Sequence, residues 1–219
     1  MFALKTELYQ ESIKRLPDSG QQIIGYQDET SIVVYHAYKK SIAEFAVANQ
    51  SLGGMEFSYS RMSWIKPNFL WMMFRCGWAA KENQEAVLAI KVSKKFFVEI
   101  LENAAISSFN SAYHDNYDTW KNSLDEKEVR LQWDPDHDPF GNKVLRRAIQ
   151  LGLKGDLLQR FGQREILGIN DITSFVTEQK KCLDNGHSDA LLVPYETVFD
   201  VTEQELAKRI GVDSQANGG

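Results

Sequence analysis

Arg61, Lys66 and Arg75 flank one apolar run, Phe69 to Phe74, in the stretch R-M-S-W-I-K-P-N-F-L-W-M-M-F-R-C-G-W. A cation drawn out of water must be paired with an anion or held by hydrogen bonds. Cations bracketing a buried helix therefore have two readings. One is a pocket for an anionic ligand; the other is an internal ion pair with one of the 30 acidic residues. Trp64 lies in the same stretch and offers a ring face for stacking.

Other residues could share that pocket. Tyr35-His36-Ala37-Tyr38 ends a β-branched run, and Tyr and His at a strand end can stack on a base and hydrogen-bond a ribose hydroxyl, or serve as core groups with a satisfied polar tip. In Ala148-Ile149-Gln150-Leu151-Gly152-Leu153 the alternate residues Ala148, Gln150 and Gly152 make a small, polar face. Such a face admits either a ligand, with Gln150 bonding it, or a closely packed helix. Arg146-Arg147 precedes this strand, where a guanidinium can reach the same groove and bind phosphate bidentately, or remain a solvated pair. Asp134-Pro135-Asp136-His137-Asp138 gathers oxygen and imidazole groups, but its prolines and spacing fit an acidic turn better than a cation cage. No bound metal is expected.

The elements that must position these groups follow from periodicity and turn residues. Strands are expected at Ser31–Tyr38, Met55–Ser60, Ala86–Val92, Glu128–Trp133, Arg147–Leu153 and Glu165–Ile169. Helices are expected from Ile42 to about Asn49, from Pro67 through the apolar run, over Lys95–Ala105, Ser174–Leu183 and Glu203–Ile210, and around Trp120. Asp136–Lys143 reads as a loop, with His114 and His187 at the surface. Strands and helices do not alternate regularly, so the fold class is α+β, a single domain over 1–219 with a core of about 15–200 and a tail from about 212.

At 219 residues, 43% hydrophobic and 25% charged, the chain has an ordinary globular composition. Its net charge of −5 argues against wholesale electrostatic binding of nucleic acid, while leaving room for a local basic groove. Cys76 and Cys182 are too few for a disulfide framework, and no signal-like or membrane-spanning apolar segment is visible. A soluble, cytoplasmic protein with no membrane partner is expected. No Walker, dinucleotide, zincin or nucleophile-elbow motif is present.

The long W-I-K-P-x-F-L-W-M-M run, with V-V-Y-H-A-Y, V-R-L-Q-W-D-P-D-H-D-P and R-R-A-I-Q-L-G-L, resembles a bacterial and fungal family catalogued as domain of unknown function 4291, over roughly residues 15–200. The usual family form has Gln where this chain has His36. A remoter similarity is to ADP-ribosyltransferases, which place one motif residue on each of three strands around bound NAD. That similarity implies positions at His36, within Phe57-Ser58-Tyr59-Ser60-Arg61, and at Gln150. The first motif here lacks the usual Gly-Thr, and the third position is Gln rather than Glu.

The leading expectation is a nucleotide-handling, NAD-dependent enzyme acting on a small-molecule nucleotide. Arg61 and Arg75 would neutralise the pyrophosphate, Tyr38 and Trp64 would stack, and His36 with Gln150 would orient ribose hydroxyls. The alternative is a non-catalytic module binding RNA ends or a phosphorylated ligand through Arg61, Lys66, Arg146 and Arg147. A third possibility is a structural protein whose cations serve internal ion pairs alone.

Overall fold

The computed structural model describes residues 2–111, 113 and 116–213. The chain opens with β1 (Thr6–Leu8), α1 (Tyr9–Arg15), β2 (Gly20–Gln21), β3 (Ile24–Tyr26), β4 (Ser31–Tyr38) and α2 (Lys40–Asn49). Next come β5 (Ser63–Ile65), α3 (Phe69–Cys76), β6 (Ala86–Ser93), α4 (Lys94–Glu102), β7 (Ala104–Ile106) and α5 (Tyr117–Glu126). Then follow β8 (Val129–His137), β9 (Lys143–Leu153), α6 (Gly155–Gln163), β10 (Ile166–Asp171) and α7 (Thr173–Asp184). A short 3-10 turn leads to β11 (Leu192–Pro194), β12 (Glu196–Val198) and α8 (Gln204–Ile210). Helices and mixed or antiparallel sheets make this an α+β fold.

Two sheets frame the molecule. The first runs β10-β6-β4, antiparallel throughout, with β4 and β6 in register from Ser31↔Ser93 to Tyr38↔Ala86. β4 and β6 are buried on both faces, as their near-continuous apolar runs require. Ile32, Val34, Leu88 and Ile90 enter the larger core, where they meet α2, α4, α6 and the inner face of the second sheet. Val33, Tyr35, Val87 and Ala89 enter a smaller core beneath α3 and Val176 of α7. The second sheet runs β2-β9-β8-β7, and the edge of β9 is shared: β2 pairs with Arg146 and Arg147, β5 with Leu151 to Leu153.

Helix α3 is apolar on nearly every side because it is wedged in the interior, with Phe69 to Met73 and Cys76 all buried. It begins two residues later than the proline suggests. Asn68 is its N-cap, accepting from the Trp71 N–H at 2.7 Å, and Glu196 of β12 accepts from the Phe69 N–H at 2.7 Å. Gly77 closes it in the left-handed conformation at φ 59°. Burial lifts the Glu196 carboxyl to about 8, against the pull of the Phe69 N–H, with Asp136 reinforcing the rise.

Several expected boundaries move. Residues 51–62 form no strand: they are an irregular segment, and the strand before α3 is β5. β8 does not stop at Asp134-Pro135 but runs on to His137, and β9 starts at Lys143. The ladder shifts between Pro135 and His137, an irregularity that accommodates a residue with no N–H to donate. The first 29 residues carry β1, α1, β2 and β3. His114 and the tail beyond Asp213 lie outside the described residues. No helix among the described residues is long and apolar enough to cross a membrane.

Candidate functional site

The two sheets are joined at one point. Tyr35 of β4 and Lys66, just after β5, exchange backbone hydrogen bonds of 2.7 and 3.1 Å. Antiparallel pairing alternates, so Ala37 and Trp64 are the next residues that would bond across the same gap. They do not pair. Instead the Ala37 carbonyl accepts from His36 Nδ1 at 2.9 Å, and the Trp64 carbonyl accepts from Lys66 Nζ at 3.1 Å. Side chains thus satisfy the acceptors that strand separation exposes, which stabilises the split. At its far end Tyr38 Oη and Ser63 Oγ meet at 3.2 Å.

A cleft of about 640 Å³ opens at this split, lined among others by His36, Tyr38, Arg61, Trp64, Lys66, Arg75 and Gln150. Seven of the nine residues nominated from sequence therefore face one space. Arg61 and Arg75 are exposed, whereas Lys66 is only 5% exposed. Burial, then the neighbouring Arg75 guanidinium, pull the Lys66 amine down to about 7, with Cys76 and Asp134 opposing. Glu56, an acid on the same lining, is tied to Lys39 at 3.2 Å and to the Ser41 hydroxyl. Glu56 thus pairs with Lys39 on the same lining and not with Arg61, Lys66 or Arg75.

His36 stacks on Tyr38, ring centroids 3.8 Å apart and nearly parallel at 7°. A carbonyl can only accept, so the contact with Ala37 fixes the proton on His36 Nδ1 and leaves Nε2 as an acceptor. Burial, then the Lys66 charge, depress this half-buried imidazole to about 3, so it is neutral at physiological pH. Tyr38 is less available than expected. Its ring is covered by His36 on one side and met edge-on by Phe57, and its hydroxyl is engaged by Ser63. It braces His36 rather than presenting a face to a ligand.

Gln150 sits on the small face of β9, directly opposite Gln132 of β8. Its Nε2 donates to Gln132 Oε1 and to Asp134 Oδ2, both at 2.7 Å. The room expected at Gly152 is taken: a Cβ there would meet Met62 Sδ at 2.5 Å and the Trp64 ring at 2.8 Å, so the glycine is what lets Trp64 lie across the strand. Gln132 and Lys39 escaped the sequence reading, and Asp134 was read only as part of an acidic turn. The signal for Gln132 and Asp134 was present, since both share the alternate face of β8 with Arg130, but Pro135 hid the strand's continuation.

Arg146 and Arg147 do not join this cleft. Arg146 is buried in an ion pair with Asp136 at 2.6 Å and donates to the Pro17 carbonyl at 2.8 Å. Arg147 donates to the Trp133 carbonyl at 2.7 Å and lines a separate cavity. Neighbours on a strand point to opposite faces, so the two guanidiniums could not have shared a groove. His137, placed by sequence in an acidic turn, is buried and stacks on Phe74 at 3.5 Å. Among the described residues no three His, Cys, Asp or Glu side chains converge to hold a metal ion.

A family model described as Domain of unknown function (DUF4291) matches residues 22–199. A comparison with curated proteins gives no match.

Proposed function

The chain belongs to the DUF4291 family, and from its cleft we propose a nucleotide-handling enzyme that binds NAD and works in the manner of ADP-ribosyltransferases. One observation carries this reading: His36, Arg61, Trp64, Lys66, Arg75 and Gln150 line a single cleft where two strands part. A dinucleotide needs cations for its pyrophosphate, flat apolar surface for its rings and neutral hydrogen-bonding groups for its ribose hydroxyls. The cleft offers all three, at a volume of about 640 Å³ that suits a cofactor-sized ligand.

Arg61 and Arg75 suit the pyrophosphate, and Lys66, its amine lowered to about 7, would be drawn back to its charged form by a bound anion. Trp64 provides a ring face. His36 Nε2, held neutral and aimed by the Nδ1 bond to Ala37, accepts from a ribose hydroxyl. NAD in this position supplies a nicotinamide leaving group on a glycosidic carbon. Where the transferases that this chain resembles carry Glu, Gln150 stands here with its amide bonded to Asp134 at 2.7 Å. The carboxylate is therefore one hydrogen bond away from the usual place rather than missing.

Nicotinamide release from NAD tests the reading. Steady turnover is expected, with loss of activity in His36→Ala and Asp134→Ala proteins whose melting stays cooperative. A non-catalytic module for RNA or a phosphorylated ligand is the second reading, favoured by the pairing of Glu56 with Lys39 and Ser41. It predicts ligand binding without any nicotinamide release.

A further inference from the structure

Lys66 is a buried amine without a carboxylate partner. Its Nζ donates to the Trp64 carbonyl at 3.1 Å, and among the described residues no ion pair reaches it. The backbone of this residue joins the two sheets, a task that needs no particular side chain. An apolar side chain would fill the position at lower cost than a cation taken out of water. Lys66 nonetheless lines the cleft, as Met72 and Trp64 do. Burial, then the Arg75 guanidinium, favour its neutral form. Desolvation and a neighbouring cation are the two conditions that make a lysine nucleophilic. Donating one N–H to the Trp64 carbonyl still leaves a neutral amine its lone pair.

We propose that Lys66 is a covalent site whose amine condenses with the aldehyde of an open-chain sugar carrying phosphate or pyrophosphate. This goes beyond the NAD reading of the cleft and does not depend on it. Arg61 and Arg75, exposed on the same lining, select the anion. The sugar carbons separate anion from aldehyde, so the charge stays on the guanidiniums while the neutral end reaches the amine. In the step, the nitrogen lone pair forms a bond to the carbonyl carbon, and the C=O π pair moves to oxygen. The nitrogen then gives up both protons, the C–O bond breaks and the oxygen leaves as water. Carbon and nitrogen are left joined as an imine, with nothing oxidised or reduced. Aldose phosphates and ADP-ribose share this aldehyde chemistry.

The test incubates the full chain with ribose 5-phosphate, ADP-ribose or plain ribose, together with cyanoborohydride, which reduces an imine to a stable secondary amine. Intact mass and peptide mapping read the adduct as a gain of the aldehyde less one water plus two hydrogens. Measured against the exposed lysines of the same sample, labelling of Lys66 should be roughly tenfold faster with the phosphate-bearing aldehydes than with ribose. Labelling by only one of the two supports the proposal and names the source. Lys66→Met should lose this adduct and keep those on exposed lysines. Mapping of the wild type decides the matter if that variant does not fold. Arg61→Ala should slow labelling of Lys66 by the phosphate-bearing aldehydes roughly tenfold. Label spread over exposed lysines with Lys66 unmodified, no advantage over ribose, or indifference to Arg61→Ala would overturn the proposal. Calorimetry with NAD keeps the two claims apart: absent NAD binding ends the donor reading and leaves the Lys66 adduct to stand or fall on its own mapping.

Discussion

Tyr35 and Lys66 exchange two backbone hydrogen bonds, and the strands that carry them part at the next residue. Everything proposed for the molecule depends on that separation. The same Lys66 that closes the last bond turns its amine back onto the Trp64 carbonyl, so one residue both joins the sheets and holds them apart. The strand carbonyls that face the split are already satisfied, so its opening leaves no unpaired acceptor at Ala37 or Trp64.

Lys66 should make stability depend on pH. Its amine falls from 10.5 to about 7 in the fold, so between those values the unfolded chain binds a proton that the folded chain does not. Stability should therefore rise as pH rises from about 7 towards 10.5. Denaturant melts across that range should show the rise in the wild type and a flatter profile in Lys66→Met.

Glu196 should act in the opposite sense. Its carboxyl is raised from 4.5 to about 8, so stability present below pH 4.5 is lost as pH climbs to about 8. Glu196→Gln keeps a neutral acceptor for the Phe69 N–H and should flatten that decline. Denaturant melts extended down to pH 4.5 test this.

His36 should behave as a neutral hydrogen-bonding group and not as a titrating base. With its imidazole held to about 3, its ring resonances should stay constant in NMR titration between about pH 5 and 8, the range in which an ordinary histidine titrates. His36→Gln, which keeps a neutral hydrogen-bonding group, should keep ligand affinity within a few-fold, whereas His36→Ala should weaken it by roughly tenfold.

Gly152→Ala should displace Trp64. The new methyl would meet Met62 Sδ at 2.5 Å and the Trp64 ring at 2.8 Å. Overpacking of this kind costs about 1–3 kcal/mol. A fall of that size in denaturant stability, with a change in tryptophan fluorescence, is the expected result.

Much of this site could be read from residue types. Arg61, Lys66 and Arg75 beside an unbroken apolar run pointed to cations at the border of a buried helix, and α3 is that helix. Gln150 stood out because Ile149, Leu151 and Leu153 had to face the core, as they do. The shared face of Asp134 and Gln132 was legible in the alternation of β8, but their meeting with Gln150 depends on the register of β8 against β9, a long-range property that no local pattern encodes. Pro135 deepened the concealment: proline normally ends a strand, yet here an irregular step in the ladder absorbs it. Segment 51–62 failed for the opposite reason. Its aromatic residues look strand-like, but Phe57 and Tyr59 pack against each other and against the core from an irregular backbone.

The central claim is that the cleft between β4 and β5 binds a dinucleotide through its cations, and calorimetric titration of NAD is the most direct measurement of it. NAD should bind the wild type at one site, and Arg61→Ala or Arg75→Ala should each weaken binding by roughly tenfold or more, as loss of a charge-assisted contact requires. At ~100 times its dissociation constant, NAD should also stabilise the wild type by about 2.7 kcal/mol. No heat of binding to the wild type, or equal affinity in wild type and both arginine variants, would contradict it.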